Sequence, residues 1–276
     1  MHVLLTNDDG IDSPGLAALY DRLSAVVDVT VVAPAEDQSG VGRARSGMGD
    51  SRPNTVSITD HEWGYVVDGT PADCAAVGLR RIDEADAIDL VVSGANVGPN
   101  VGSYILGHSG TVGAVVEAAF LGTPGVAVSG YDRSNYFPAD DAFAPVARVT
   151  SSLVRLVDTT DLFADKADFL NINIPTTPTD SVVLTRPLAD YDTTVETTGG
   201  RALFDSNYWA TKPVAGDWVP VLDEYRGVYP TWSDRAAVVN GEISITPLAA
   251  PQTVVEVPPA FADALDTYTP PLAKNE

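Results

Sequence analysis

Leu4-Leu5-Thr6-Asn7-Asp8-Asp9-Gly10 decides how the chain reads. An apolar run that stops abruptly at two carboxylates and a glycine is the pattern of a buried strand delivering polar side chains at its carboxyl end. Val3 to Thr6 is that strand. Ser13-Pro14 follows at once: Ser13 can cap a helix, Pro14 suits its first turn, and Leu16, Leu19, Leu23 and Val26 form one apolar face. Val29 to Ala33 is a second strand. Strand, helix, strand within 33 residues is the unit of a parallel sheet wrapped by helices.

The alternation continues outward from this unit. A polar, Gly-rich loop runs from Pro34 to about Pro53. Val56 to Thr59 and Tyr65 to Asp68 read as short strands, and Thr70-Pro71-Ala72-Asp73 opens a helix. Leu90 to Ser93, Val126 to Ser129 and Phe169 to Ile174 are further strands, with helices over Gly110 to Leu121 and Pro145 to Val157. After Leu184 the pattern changes to Thr-, Val- and Tyr-rich stretches such as Asp192 to Thr198 and Leu203 to Trp209, which read as hairpins. The expectation is one domain over 1–276: a three-layer Rossmann-like α/β core with a mainly parallel sheet over 1–184, then a β-rich extension over 185–276 for oligomerisation. Residues after Thr269 read as a disordered tail.

Composition bounds the function. The chain has 276 residues, 45% of them hydrophobic, enough for one sizeable core. It carries 29 Asp and 9 Glu against 13 Arg and 3 Lys, for a formal net charge of -22. That balance suits concentrated salt, which screens self-repulsion. It excludes a surface-wide grip on duplex nucleic acid or on an anionic membrane, since both need clustered Lys and Arg. One cysteine, Cys74, permits no intrachain disulfide. No signal-peptide pattern opens the chain and no apolar run spans a bilayer, so a cytoplasmic protein is expected.

The chemistry gathers at strand ends, where parallel sheets collect ligands. Asp8 and Asp9 are contiguous carboxylates with no cation nearby in sequence. A hard divalent ion (magnesium, manganese or calcium rather than zinc) resolves their repulsion; the plainer reading is that acidic pairs are common where Asp is abundant. The loop after the second strand offers Asp37, Gln38 and Ser39, and Ser93-Gly94-Ala95-Asn96-Val97-Gly98-Pro99-Asn100 offers Asn96 and Asn100. Ser109-Gly110-Thr111-Val112-Gly113 opens a helix after a Gly-rich loop, as a phosphate cradle does, although ordinary capping accounts for the same residues. His108 beside it is either a general acid or a polar packing residue. Glu117 either reaches the site or faces solvent, and Cys74 reads as a core residue. A dehalogenase-type phosphatase is excluded because its two Asp are separated by one residue. A response-regulator receiver is excluded by Ser93, which stands where the phosphoacceptor Asp belongs.

Taken in order, these motifs closely resemble the SurE family of survival-protein nucleotidases. The matching stretches are Leu4 to Gly10, Ala33-Pro34 through Ser39-Gly40, Gly69 to Cys74, Ser93 to Gly102, Ser109 to Ala114, Asn171 to Pro175, and Ser233-Asp234 with Gly241 to Leu248. The resemblance implies a phosphatase acting on nucleoside 5'- and 3'-monophosphates, with short polyphosphate as a further substrate for some members. It implies one divalent metal per subunit on Asp8, Asp9, Ser39 and Asn96, with Asp8 and Asp9 catalytic. Phosphate contacts fall on Asn100, Ser109, Gly110 and Thr111, and the assembly is a homodimer or homotetramer. Gly42-Arg43 departs from the pattern, and Arg43 is expected to bind phosphate directly. His108 replaces a usual Tyr, and the stretches Tyr131 to Asp141 and Gly199 to Tyr229 match weakly. A nucleotide-binding regulator that keeps the pocket without turnover is the alternative.

Overall fold

The computed structural model describes residues 1–47, 55–81, 87–160, 162–165, 167–207, 209, 220–250, 253–254 and 257–270. The end of the loop expected to reach Pro53, Tyr208 within the second hairpin stretch, Pro251, and the end of the tail lie outside them.

β1 (His2–Thr6), β2 (Asp28–Pro34), β4 (Gly64–Asp68), β5 (Leu90–Val97), β6 (Gly125–Tyr131) and β7 (Phe169–Pro175) form the parallel body of one large sheet. β3 (Ser57–His61) closes one edge antiparallel to β4. At the other side, β11 (Ile243–Ala249) runs antiparallel to β7 and pairs with β8 (Val182–Leu184) and β12 (Thr253–Val254). The order is β12-β11-β7-β6-β5-β1-β2-β4-β3.

The β1 sequence explains the three layers. Strand side chains alternate between faces, and here both faces are buried. Val3 and Leu5 pack with Leu16, Leu19 and Leu23 of α1 (Pro14–Leu23) and with Val149 and Leu153 of α5 (Ala144–Asp158). Leu4 points the other way, toward Cys74 of α2 (Pro71–Arg81) and Val112 and Val115 of α4 (Gly110–Phe120). Val31 and Ala33 against Val32 repeat the alternation on β2. A two-faced apolar strand is what a central parallel strand needs.

α1 starts where its signals place it, with the Ser13 hydroxyl accepting from the Leu16 N–H at 3.4 Å and Pro14 in the first turn. It ends at Leu23, earlier than the apolar face predicts, and Val26 lies beyond it, 40% exposed. The region after residue 184 is more mixed than its Thr-rich stretches predict. β9 (Asp192–Thr198) and β10 (Arg201–Asn207) do form a separate two-stranded hairpin. β11 instead returns to the main sheet, and two α-helices lie among the described residues of the region. α7 (Asp234–Asn240) is capped by Ser233 and stopped by Gly241 in the left-handed conformation, while α8 (Pro259–Asp266) seats Phe261 in the α1–α5 core. Among the described residues no helix is long and apolar enough to cross a membrane.

Candidate active site

The strand order reverses at β1: β2 lies on one side of it and β5 on the other. The crossover helices therefore leave on opposite faces, and the carboxyl ends of β1 and β5 open a crevice. Asp8 and Asp9 occupy the turn after β1. Asn7 shapes that turn by donating from Nδ2 to the Gly10 carbonyl at 2.8 Å and to the Ser13 hydroxyl at 2.7 Å. The loop after β2 is tied to it by the Gln38 N–H, which donates to the Asp8 carbonyl at 2.7 Å.

Asp8 is buried, and its Oδ1 accepts from the Thr111 hydroxyl at 2.5 Å. Burial raises its pKa above the usual carboxylate value, while the Thr111 hydroxyl and N–H pull the other way. Gly110 packs so closely that a Cβ on it would lie 2.7 Å from Asp8 Cβ. The first turn of α4 is thus aimed at a carboxylate. Asp9 differs: its Oδ2 is buried with no hydrogen-bond partner. Burial, the Asp8 charge and the Asp37 charge push its pKa up to about 7, opposed by a hydrogen bond from the Val97 N–H. A buried acceptor left without a partner is costly, and two carboxylates facing a third in one crevice are what a divalent cation relieves. Hard oxygen donors of this kind fit magnesium, manganese or calcium. Among the described residues no group of three or more His, Cys, Asp or Glu is arranged to hold a metal ion. An ion here would lean on neutral oxygens beside the two carboxylates.

Those neutral donors come from neighbouring strand ends. Ser39 is exposed, and its N–H and hydroxyl both donate to Asp37 Oδ1, at 2.7 and 2.6 Å, which orients the hydroxyl oxygen. Asn96 lies inside the irregular end of β5, which runs to Val97 rather than stopping at Ser93, and donates from Nδ2 to the Gly98 carbonyl at 2.8 Å. Asn100 is held one step back. It donates from its N–H to Asn173 Oδ1 at 2.7 Å and from Nδ2 to Ser129 Oγ at 3.1 Å, and its carbonyl accepts from Asn171 and Asn173. Ser109 caps α4, its hydroxyl accepting from the Val112 N–H at 3.1 Å. Helix capping and the acidic turn therefore already use Ser109 and Thr111.

Arg43, expected as a phosphate ligand, is paired within the protein. Its guanidinium lies 3.3 Å from a Glu117 oxygen and stacks over Phe120 at 4.4 Å. Glu117 faces this loop: Arg45 Nη1 also reaches it, at 2.8 Å, while Arg45 Nε reaches Asp73 at 2.8 Å. Asp73 and Thr70 form a capping box on α2, and Asp73 also accepts from the Ser46 hydroxyl at 2.6 Å. Burial would raise the Asp73 pKa, but hydrogen bonds from Ser46, Thr70 and Arg45 hold it below the usual value. The pairs clamp the 42–46 stretch between α2 and α4. His108 is exposed, against the Tyr104 ring at 4.4 Å, and Cys74 is buried in the core.

Local sequence pattern assigns no role to Asn171 and Asn173, which fix Asn100, or to Asp234. Asp234 Oδ2 accepts from the Gly102 N–H at 2.6 Å and so ties α7 to the end of the 98–102 loop. Their signal lies in polar residues inside an otherwise apolar strand and in an Asp just after a capping serine.

The family model described as survival protein SurE matches residues 3–193. The chain belongs to the SurE family. Among SurE relatives, a protein of Halobacterium salinarum named 5'-nucleotidase SurE is 44% identical over 96% of this chain and 95% of its own length. One of the same name from Haloquadratum walsbyi is 41% identical over 92% of each chain. The crystal structure of a SurE protein from Aquifex aeolicus matches the fold with a TM-score of 0.70 at 30% identity, covering 90% of this chain and 93% of that one.

Proposed function

We propose that this chain is a phosphatase that hydrolyses nucleoside 5'-monophosphates to nucleoside and inorganic phosphate, with metal dependence, 3'-monophosphates and short polyphosphate as finer parts of the same reading. The names borne by its relatives support the nucleotidase activity. The single observation that carries the mechanism is the Asp8–Asp9 turn, where Asp8 is buried and the buried Oδ2 of Asp9 lacks a partner. Asp8, Asp9, Ser39 and Asn96 would hold one divalent ion. When bound, such an ion polarises a phosphoryl oxygen and makes a bound water more acidic.

The chain's own groups supply the rest. Thr111 fixes the rotamer of Asp8 through its hydroxyl, so one catalytic carboxylate is pre-oriented. Gly110, having no side chain, lets the start of α4, where the helix dipole favours negative charge, close up on Asp8. Asn100, held through its backbone by Asn171 and Asn173, would reach phosphate with its side-chain amide only by leaving Ser129. Arg43 would act on phosphate only by leaving Glu117. Water attacks phosphorus, the P–O ester bond breaks, and the nucleoside leaves with a proton on its oxygen.

The test is inorganic phosphate release from a panel of 5'- and 3'-monophosphates in molar salt, with magnesium or manganese. Release that EDTA arrests and added metal restores is expected. Saturable nucleotide binding with no release under any metal would replace the enzyme by a regulator.

Assembly and setting belong to the same reading. Val195, Leu203 and Phe204 are exposed on the β9–β10 hairpin, Phe204 by 68%. Exposed apolar residues on a projecting hairpin are suited to a second copy of the chain, as homodimer or homotetramer. Light scattering that finds only monomers would remove that part. A cytoplasmic, salt-adapted protein fits the -22 charge.

A further inference from the structure

A cavity of about 180 Å³ opens beside the acidic turn, walled by Asn96, Val97, Gly98, Tyr136, Phe137 and Trp209 among others. It is smaller than the ~300 Å³ at which drug-sized pockets begin, so it suits one ring system rather than a whole nucleotide. Its floor is the end of β5. Val97 lines it and donates its N–H to Asp9, and Asn96, which also lines it, belongs to the proposed ligand set. Cavity and acidic turn therefore share one strand segment.

The aromatic wall is held in place by its backbone. Asp132 Oδ1 accepts from the N–H groups of Ser134 and Asn135, both at 2.8 Å, and Asp132 and Tyr136 exchange backbone hydrogen bonds of 3.0 and 2.8 Å. Tyr136 has φ +68, and the Phe137 N–H reaches back to the Asn135 carbonyl at 2.8 Å. That is a three-residue γ-turn of the strained, positive-φ kind, rare for a bulky residue. It turns two successive aromatic side chains toward the cavity. Phe137 lies against β5 because position 98 is Gly: a Cβ there would come within 2.9 Å of the Phe137 ring. Tyr136 meets Phe137 edge-on at 4.9 Å and Trp209 at 6.1 Å.

We propose that this cavity is the base slot of the substrate site, taking the nucleobase of a nucleoside monophosphate against Phe137 and Tyr136 while the phosphate lies at the acidic turn. The inference rests on the phosphatase reading and adds what selects the substrate. Flat apolar walls accept any base by stacking, with little discrimination among bases.

The experiment compares kcat/KM for AMP with that for ribose 5-phosphate, which lacks the base, in wild type, Phe137→Ala and Phe137→Tyr. A ratio within one preparation does not depend on how much protein is folded. Phe137→Ala is expected to lower the ratio about ten- to a hundredfold, chiefly through the KM for AMP, and Phe137→Tyr to restore most of it. An unchanged ratio in Phe137→Ala, with an active wild type, overturns the slot and leaves the phosphatase reading standing. Adenosine binding followed by calorimetry separates the two further. A wild type that hydrolyses neither ester but loses adenosine affinity in Phe137→Ala sustains the slot and removes the phosphatase. No hydrolysis and no adenosine binding removes both.

Discussion

Replacing Asp8 or Asp9 by Asn is expected to lower metal-dependent phosphate release from AMP by about a thousandfold or more, the scale of losing a central catalytic group. The fold should survive both changes. Asp8 is 2% exposed, and Asp9 has an unpartnered buried oxygen beside two other carboxylates. Asn keeps the shape while removing a desolvated charge, so the melting temperature of the metal-free protein should stay level or rise. Activity and stability should therefore move apart. A variant that keeps near-normal release would contradict a role for that carboxylate. Activity lost only together with a collapse in melting temperature would reduce the effect to folding. Phosphate release by malachite green, with a thermal melt on the same preparation, reads both quantities.

The second large effect is expected at a residue with no functional group. Gly110→Ala places a methyl group 2.7 Å from Asp8 Cβ and 2.9 Å from Asp8 Oδ2. Something must shift, and Asp8 is the nearest side chain. Overpacking of this kind costs about 1–3 kcal/mol, which in a chain of this size lowers the melting temperature by only a few degrees. Catalysis should suffer more, because a displacement near 1 Å at a reacting group costs on the order of 100-fold. The expected outcome is a folded protein with about one hundredth of wild-type kcat. Wild-type kcat in a folded Gly110→Ala protein would mean that the start of α4 does not set the Asp8 geometry.

Residues with strong local signals carried most of the fold into the sequence. β1, β2, β5, β6 and β7 are apolar runs bounded by turn residues, and α1 announces itself through Ser13-Pro14. The long-range partners were not legible. β11 joins the sheet antiparallel to β7, a pairing across about 70 residues for which local pattern holds no information. α3 (Ser103–His108) is six residues long, begins at a Gly102 with no side-chain cap, and gives no periodic stretch to read. Val26 fits the apolar face of α1 by spacing, yet the helix has ended three residues earlier.

The candidate site divides in the same way. Asp8 and Asp9 declare themselves by position, since a strand end followed by Gly is where a parallel sheet puts its ligands. Arg43 is expected to bind phosphate where the chain departs from the family pattern, and its ion pair with Glu117, 74 residues away, is not legible there. Asp37 changes the electrostatics of Asp8 and Asp9 through space. Asn171 and Asn173 hold Asn100 from another strand. Each of these depends on which strand ends meet, a property of topology rather than of any local motif.

Manganese titration followed by electron paramagnetic resonance of the free ion, in molar salt and without nucleotide, tests the central claim most directly. One bound ion per chain in the wild type, lost or strongly weakened in Asp9→Asn, is the expected result. A wild type that leaves all manganese free, or an Asp9→Asn variant that binds it as tightly, would contradict a metal site in the turn after β1.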